Sequence, residues 1–267
     1  MAKPSRPRSR RTSAVLTCTV LAALAVTGGL TAVALNRPDE PRAVTLAEAQ
    51  RLAMARFTTY ETSPEQVTVT LDDGAGSTCV QGLMDHRRHR GVGSYTAGRD
   101  GARSGGLIAW DATGLAVAPF AEPRTLDGRG LTRAVQGVPP ASWVPRAYTA
   151  DPLDSVLRVV AALGADRPDN AQLLAQAGPR RLRGETLHGT AYTVFSGPRP
   201  RAAAAAAPAV GDSPLTYWVD GKGRLGRVEV AIGSLHRPAR IDLAPAPAGA
   251  RVPGRPWQRQ EAAPGSR

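Results

Sequence analysis

Leu215-Thr-Tyr-Trp-Val-Asp-Gly-Lys-Gly-Arg-Leu-Gly-Arg-Val-Glu-Val-Ala-Ile232 reads as a β-hairpin. Leu215 to Asp220 is rich in β-branched and aromatic residues, and Asp220-Gly221-Lys222-Gly223 supplies the turn. In the returning strand Gly226, Val228, Val230 and Ile232 alternate with Leu225, Arg227, Glu229 and Ala231. That period of two describes a strand with one face buried and the other mostly solvated. An antiparallel sheet follows.

Upstream runs have the same character. Val67–Leu71 ends at Asp72-Asp73-Gly74. Cys79–Asp85 and His89–Thr96 pair across the following turn, and Gly106–Asp111 pairs with Leu115–Pro119. Arg180–Leu187 and Thr190–Ser196 form another hairpin over His188-Gly189. Arg240–Leu243 adds an edge strand. The Pro/Gly-rich stretch 121–150, with Trp143 and Tyr148, reads as an ordered loop because two large aromatics need cover.

Two helices are signalled between these runs. Thr45-Leu46-Ala47-Glu48 is a capping box, with Leu46, Ala49, Ala53, Phe57 and Tyr60 on one face of the helix behind it. Asp151-Pro152-Leu153-Asp154 combines an N-cap, a proline in the first turn and an acid at the positive dipole end. Leu153, Val156, Leu157, Val160 and Leu163 form that helix's apolar face. A short third helix starts at Asp169 or Asn170 and is closed by Gly178-Pro179. The alanine- and proline-rich stretch 197–214 reads as a loop.

Ahead of this domain, Ser13–Leu35 contains no Asp, Glu, Lys, Arg or His. As a helix it would span about 34 Å, enough for a hydrocarbon core of about 30 Å. The tail before it carries Lys3, Arg6, Arg8, Arg10 and Arg11, which favours a cytoplasmic N-terminus and an extracytoplasmic domain. Two readings stand: an uncleaved single-pass anchor, or a signal peptide removed after Ala34, where Ala32-Val33-Ala34 fits the cleavage pattern. The apolar run exceeds the usual signal-peptide core of about 7–15 residues, which favours the anchor. The organisation is then a basic tail (1–12), the apolar span (13–35), a linker (36–42), one domain (43–243) and a disordered tail (244–267).

Composition excludes several classes. The net charge of +12 is concentrated at the two ends, so it does not mark a nucleic-acid-binding fold. Cys18 lies in the apolar span and Cys79 in the domain, so no internal disulfide is expected, and Cys79 reads as a small buried residue. His86-Arg87-Arg88-His89 brackets a turn and lacks a third metal ligand at a familiar spacing; it reads as a solvated hairpin end. Asp72-Asp73-Gly74 lacks the later ligands of a calcium loop. The glycines of 91–106 precede no Lys-Ser/Thr pair, no G-x-S-x-G appears, and nothing in the sequence points to a catalytic acid pair among Asp85, Asp111 and Asp220. No catalytic residue, metal or cofactor is assigned.

Four stretches together resemble the LolA-like envelope proteins, above all the actinobacterial lipoproteins of the LppX/LprG type. They are Gly106-Leu-Ile-Ala-Trp-Asp111, the Trp143 loop leading to Asp151-Pro-Leu-Asp154, Gly184-Glu-Thr-Leu-His-Gly-Thr-Ala-Tyr-Thr-Val194, and the Leu215–Val228 part of the opening hairpin. The family's lipid-modified N-terminal cysteine has no counterpart in this sequence. The resemblance implies an α+β fold: a curved antiparallel half-barrel with helices packed on its concave face, around a cavity for apolar chains.

The expected function is non-catalytic binding of a lipid or other apolar ligand at the cell envelope. Phe57, Trp110, Val117, Leu157, Val160, Val194 and Trp218 are the pocket candidates, each also suited to plain core packing. Arg87 and Arg88 are candidates for contact with lipid headgroups or a partner. The alternative is a protein-interaction or sensory module of the envelope with no ligand cavity. Expected partners are the membrane, an apolar ligand and an envelope protein, with no nucleic acid.

Overall fold

Thr45 opens the first helix through its capping box. Its hydroxyl accepts from the Glu48 amide at 3.3 Å, and the Glu48 carboxylate accepts from the Thr45 amide at 2.9 Å. This helix belongs to a computed structural model describing residues 40–74, 76–99, 102–120, 128–197 and 213–258. The expected span, Ser13–Leu35, lies outside the described residues. Among those described, no helix is long and apolar enough to cross a membrane.

In chain order the elements are β1 (Arg42–Ala43), α1 (Leu46–Glu61), β2 (Glu65–Asp72), β3 (Gly76–Asp85), β4 (Arg90–Arg99), β5 (Ala102–Asp111) and β6 (Gly114–Pro119). Then come α2 (Gly128–Gly137), a 3₁₀ turn (Pro140–Ser142), β7 (Val144–Ala147), α3 (Pro152–Ala162) and α4 (Ala171–Gln176). Last are β8 (Arg180–Leu187), β9 (Thr190–Ser196), β10 (Leu215–Asp220), β11 (Leu225–Val230) and β12 (Ala239–Pro245). The strands form one open 12-stranded sheet in the order β1-β8-β9-β10-β11-β12-β2-β3-β4-β5-β6-β7. Every neighbouring pair is antiparallel. The α+β class is as expected.

Alternation along the strands divides the core. Ile108 and Trp110 of β5 join an apolar cluster with Leu52 and Ala55 of α1 and Val156, Leu157 and Val160 of α3. Leu107 and Ala109 of the same strand point the other way. They pack with Leu131 and Val135 of α2, Trp143 and Ala250. Helices therefore cover both faces of the sheet rather than one.

Five features differ from the sequence expectation. α2 forms within the stretch read as a loop; its Leu131 and Val135, four apart, are both buried. β12 is not an edge strand but sits between β11 and β2, because Ile241 and Leu243 fill the gap between Val228 and Val69. α1 turns Leu52 and Ala55 into the core and leaves Leu46 58% exposed. Residues 246–258 are folded rather than disordered. Ala250 is buried, Arg129 and Thr132 donate to the carbonyls of Ala248 and Arg251, and Arg255 Nε meets Asp111 at 2.6 Å. In β11, a bulge beside the Trp218/Val219 step puts Leu225 on the same buried face as Val228, though simple alternation separates them. The loop expected at 197–214 falls mostly outside the described residues, as do 259–267.

Candidate functional site

The site begins with α1. Its N-terminus is pinned to the sheet edge: both guanidinium nitrogens of Arg42 lie 2.8 Å from the Glu48 carboxylate, and Arg181 of β8 approaches it at 3.6 Å. Its C-terminus is covered by the β3–β4 turn. Arg87 donates to the Tyr60 and Glu61 carbonyls and its guanidinium lies 5.6 Å from the Tyr60 ring centre. Carbonyls at a helix end have no helical partner, so Arg87 serves as a cap from outside the helix.

The connection from α3 to α4 is then laid along α1. The Ala165 and Asp169 amides donate to the Arg56 and Ala53 carbonyls at 3.1 and 3.0 Å. Asn170 caps α4, accepting from Gln172 and Leu173. None of the six residues of α4 is buried.

Between these elements and β10–β11 lies a cavity of about 500 Å³. Leu52 and Ala55 come from α1, and Val159, Ala162 and Leu163 from the end of α3. Leu173 and Leu174 of α4 form the outer wall, and Leu215, Tyr217 and Leu225 form the floor. One corner is polar, with Arg56, Asp169 and Asn170. There Arg56 Nη1 stands 3.6 Å from Asp169, and Nη2 donates to the Ala162 carbonyl at 3.1 Å. Burial pushes the Tyr217 hydroxyl up to about 12, so it stays protonated on the cavity floor. This is the size and lining of a small-ligand site: mostly apolar with few polar groups.

The pocket candidates from sequence are distributed elsewhere. Trp110, Leu157 and Val160 are fully buried in the cluster beneath the helices, with Val117 packed against it. Phe57 is half-buried outside that cluster. None of the seven lines the cavity. Trp218 and Val194 are paired across β10 and β9 and face the opposite side of the sheet from Tyr217 and Phe195. On that side the guanidinium carbons of Arg183 and Arg227 lie 5.5 and 5.8 Å from the Trp218 ring centre, and the indole donates to Glu185 at 3.0 Å. The signal that could have found Tyr217 was parity: it neighbours Trp218 and must face the other way.

The His86–His89 turn is a solvated hairpin end at Arg87, Arg88 and His89, all exposed, but not at His86. His86 is completely buried against Gly164, where a Cβ would come within 2.6 Å of the His86 Cβ. His86 Nε2 lies 3.6 Å from the buried Glu65 carboxylate. Burial dominates both groups: it raises Glu65 to about 7 and lowers His86 to about 4, so each favours its neutral form. His89 Nδ1 lies 2.9 Å from the Ala161 carbonyl at the end of α3. Arg88 is the more exposed of the two arginines and pairs with Asp85 at 2.9 Å. Cys79 is half-buried, and burial pushes its thiol up. Among the described residues, no three of His, Cys, Asp and Glu gather to hold a metal.

No protein-family profile matches the chain, and no curated protein matches it. The crystal structure of the lipoprotein LppX of Mycobacterium tuberculosis is similar to it. The two share 13% identity over 77% of this chain and 98% of that one, with a TM-score of 0.38.

Proposed function

We propose that this chain is a non-catalytic envelope protein that holds a lipid or another apolar ligand between α1, α3–α4 and the sheet. In this reading the sheet is a half-barrel curving around those helices, and Ser13–Leu35 holds the domain at the outer surface of the cell membrane. The observation that carries the proposal is the cavity of about 500 Å³, walled mostly by aliphatic side chains. A space of this size lined by Leu and Val offers an apolar occupant dispersion contacts and removal from water. Its polar groups are one cation, one carboxylate and two hydrogen-bonding side chains at the corner and floor. They suit orientation of a ligand and include no nucleophile with a base.

The test uses the full chain, extracted from a membrane-containing host into amphipol. Mass spectrometry of the extracted lipids should find about one apolar molecule per protein. The Leu174→Trp variant, which fills the cavity from its outer wall, should lose that molecule while keeping its circular dichroism spectrum. A wild-type protein that is folded and free of lipid would sink the reading.

A further inference from the structure

The geometry points to a ligand with a single alkyl chain and a carboxylate head, with the chain in the cavity and the head on Arg56. This rests on the binding role proposed above and narrows it to one chemical class.

Volume sets the chain number. A cavity of about 500 Å³ is in the range that takes one small ligand, about the size of a single acyl chain with its head. A two-chain lipid needs about twice that space.

The corner sets the head group. The cavity offers one cation, Arg56, and it stands at the rim with its side chain 41% exposed. Its guanidinium makes one hydrogen bond, from Nη2 to the Ala162 carbonyl at 3.1 Å, which leaves Nη1 and Nε to meet a ligand. The Asp169 carboxylate lies 3.6 Å away, itself 36% exposed, and forms no hydrogen bond with it. An exposed pair at that distance contributes little. A ligand carboxylate can displace Asp169 and take the guanidinium in a fork-like, charge-assisted pair. A quaternary ammonium head has no N–H to offer Asp169, and an alcohol brings no charge to pair with Arg56. The chain then runs inward past Leu52 and Leu163 to Tyr217.

The experiment is titration calorimetry on the full chain in amphipol, with empty amphipol subtracted. Four probes are compared: hexadecanoic acid, hexadecanol, hexadecyltrimethylammonium, and vesicles of dipalmitoyl phosphatidylglycerol. Hexadecanoic acid should bind at one to one, at least about tenfold more tightly than the alcohol, in keeping with a hydrogen bond to a charged group. Arg56→Gln should erase that preference. Asp169→Asn, which removes the competing carboxylate, should strengthen acid binding by up to about fivefold.

Three results would overturn the inference while leaving the binding role intact: equal affinity for acid and alcohol, a tighter complex with the two-chain lipid, or an Asp169→Asn variant that binds the acid less well. Failure of all four probes to bind would overturn both.

Discussion

Trp110 shows how a single atom can decide a strand pair. Its indole lies flat on Gly91, the residue opposite it in β4, and a Cβ at Gly91 would come within 2.2 Å of the ring. Gly91→Ala should therefore destabilise the protein by about 1–3 kcal/mol through overpacking, read by urea denaturation. Glu48 makes a pH prediction. Its hydrogen bonds from Arg42 hold it down at about 2. A carboxylate lowered in this way adds stability above its unfolded value of about 4.3 and loses it as the pH falls through its folded value. Glu48→Gln should cost stability at neutral pH, and the gap should close as the pH is taken down toward about 2. Glu65 has the opposite sign. Its value is raised to about 7, so its contribution is complete below about 4.3 and disappears as the pH rises past the folded value. Glu65→Gln should gain on the wild type as unfolding is measured from about pH 5 to about pH 8. His86, lowered to about 4, contributes above its unfolded value of about 6.5 and is lost on acidification. The buried pair is most at ease when both members are neutral.

Among the elements, α1 is held at both ends by arginines from elsewhere in the chain. Arg87→Ala should remove two hydrogen bonds from its last turn and cost about 0.5–1.5 kcal/mol for each one. Hydrogen exchange at the end of α1 should quicken ahead of global unfolding. Capping signals such as Thr45 and Asp151 lie next to the helices they start, so they were readable in the sequence. Arg87 caps a helix 26 residues away, and no local pattern announces that. β10 and β11 make the same point. Their hairpin was plain from composition and turn residues. The bulge that returns Leu225 to the core was not, because it depends on the close fit of Gly226 against Tyr192, where a Cβ would come within 2.4 Å of the ring. The cavity floor was obscured for a related reason. Size drew attention to Trp218, but alternation hands the cavity to its neighbour Tyr217.

Over the whole domain, the sheet is finished by segments that look unremarkable alone. β12 has few large apolar residues and reads as an edge, yet it bridges β11 and β2. Residues 246–258 are rich in Pro, Gly and Arg, a composition associated with disorder. They order because Ala250, Val252 and Trp257 find a second apolar face of the sheet to cover, a partner visible only once strand parity is known. A chain ending after Pro245 should expose Leu107 and Ala109 on that face, melt at lower temperature and bind more of an apolar dye than the full chain. Arg255→Ala, which removes the tie to Asp111, should produce a smaller loss of about 1–3 kcal/mol.

The place of β12 also sets a timetable. Strands β2 to β6 can zip together as soon as they are made, since each pairs with the next. β2 then waits with one side of its backbone unpaired until nearly the whole domain has been synthesised. During that interval it is an open template for strands of other molecules. A helper that shields β2 until β12 arrives would act on the nascent chain and find nothing to hold in the finished protein.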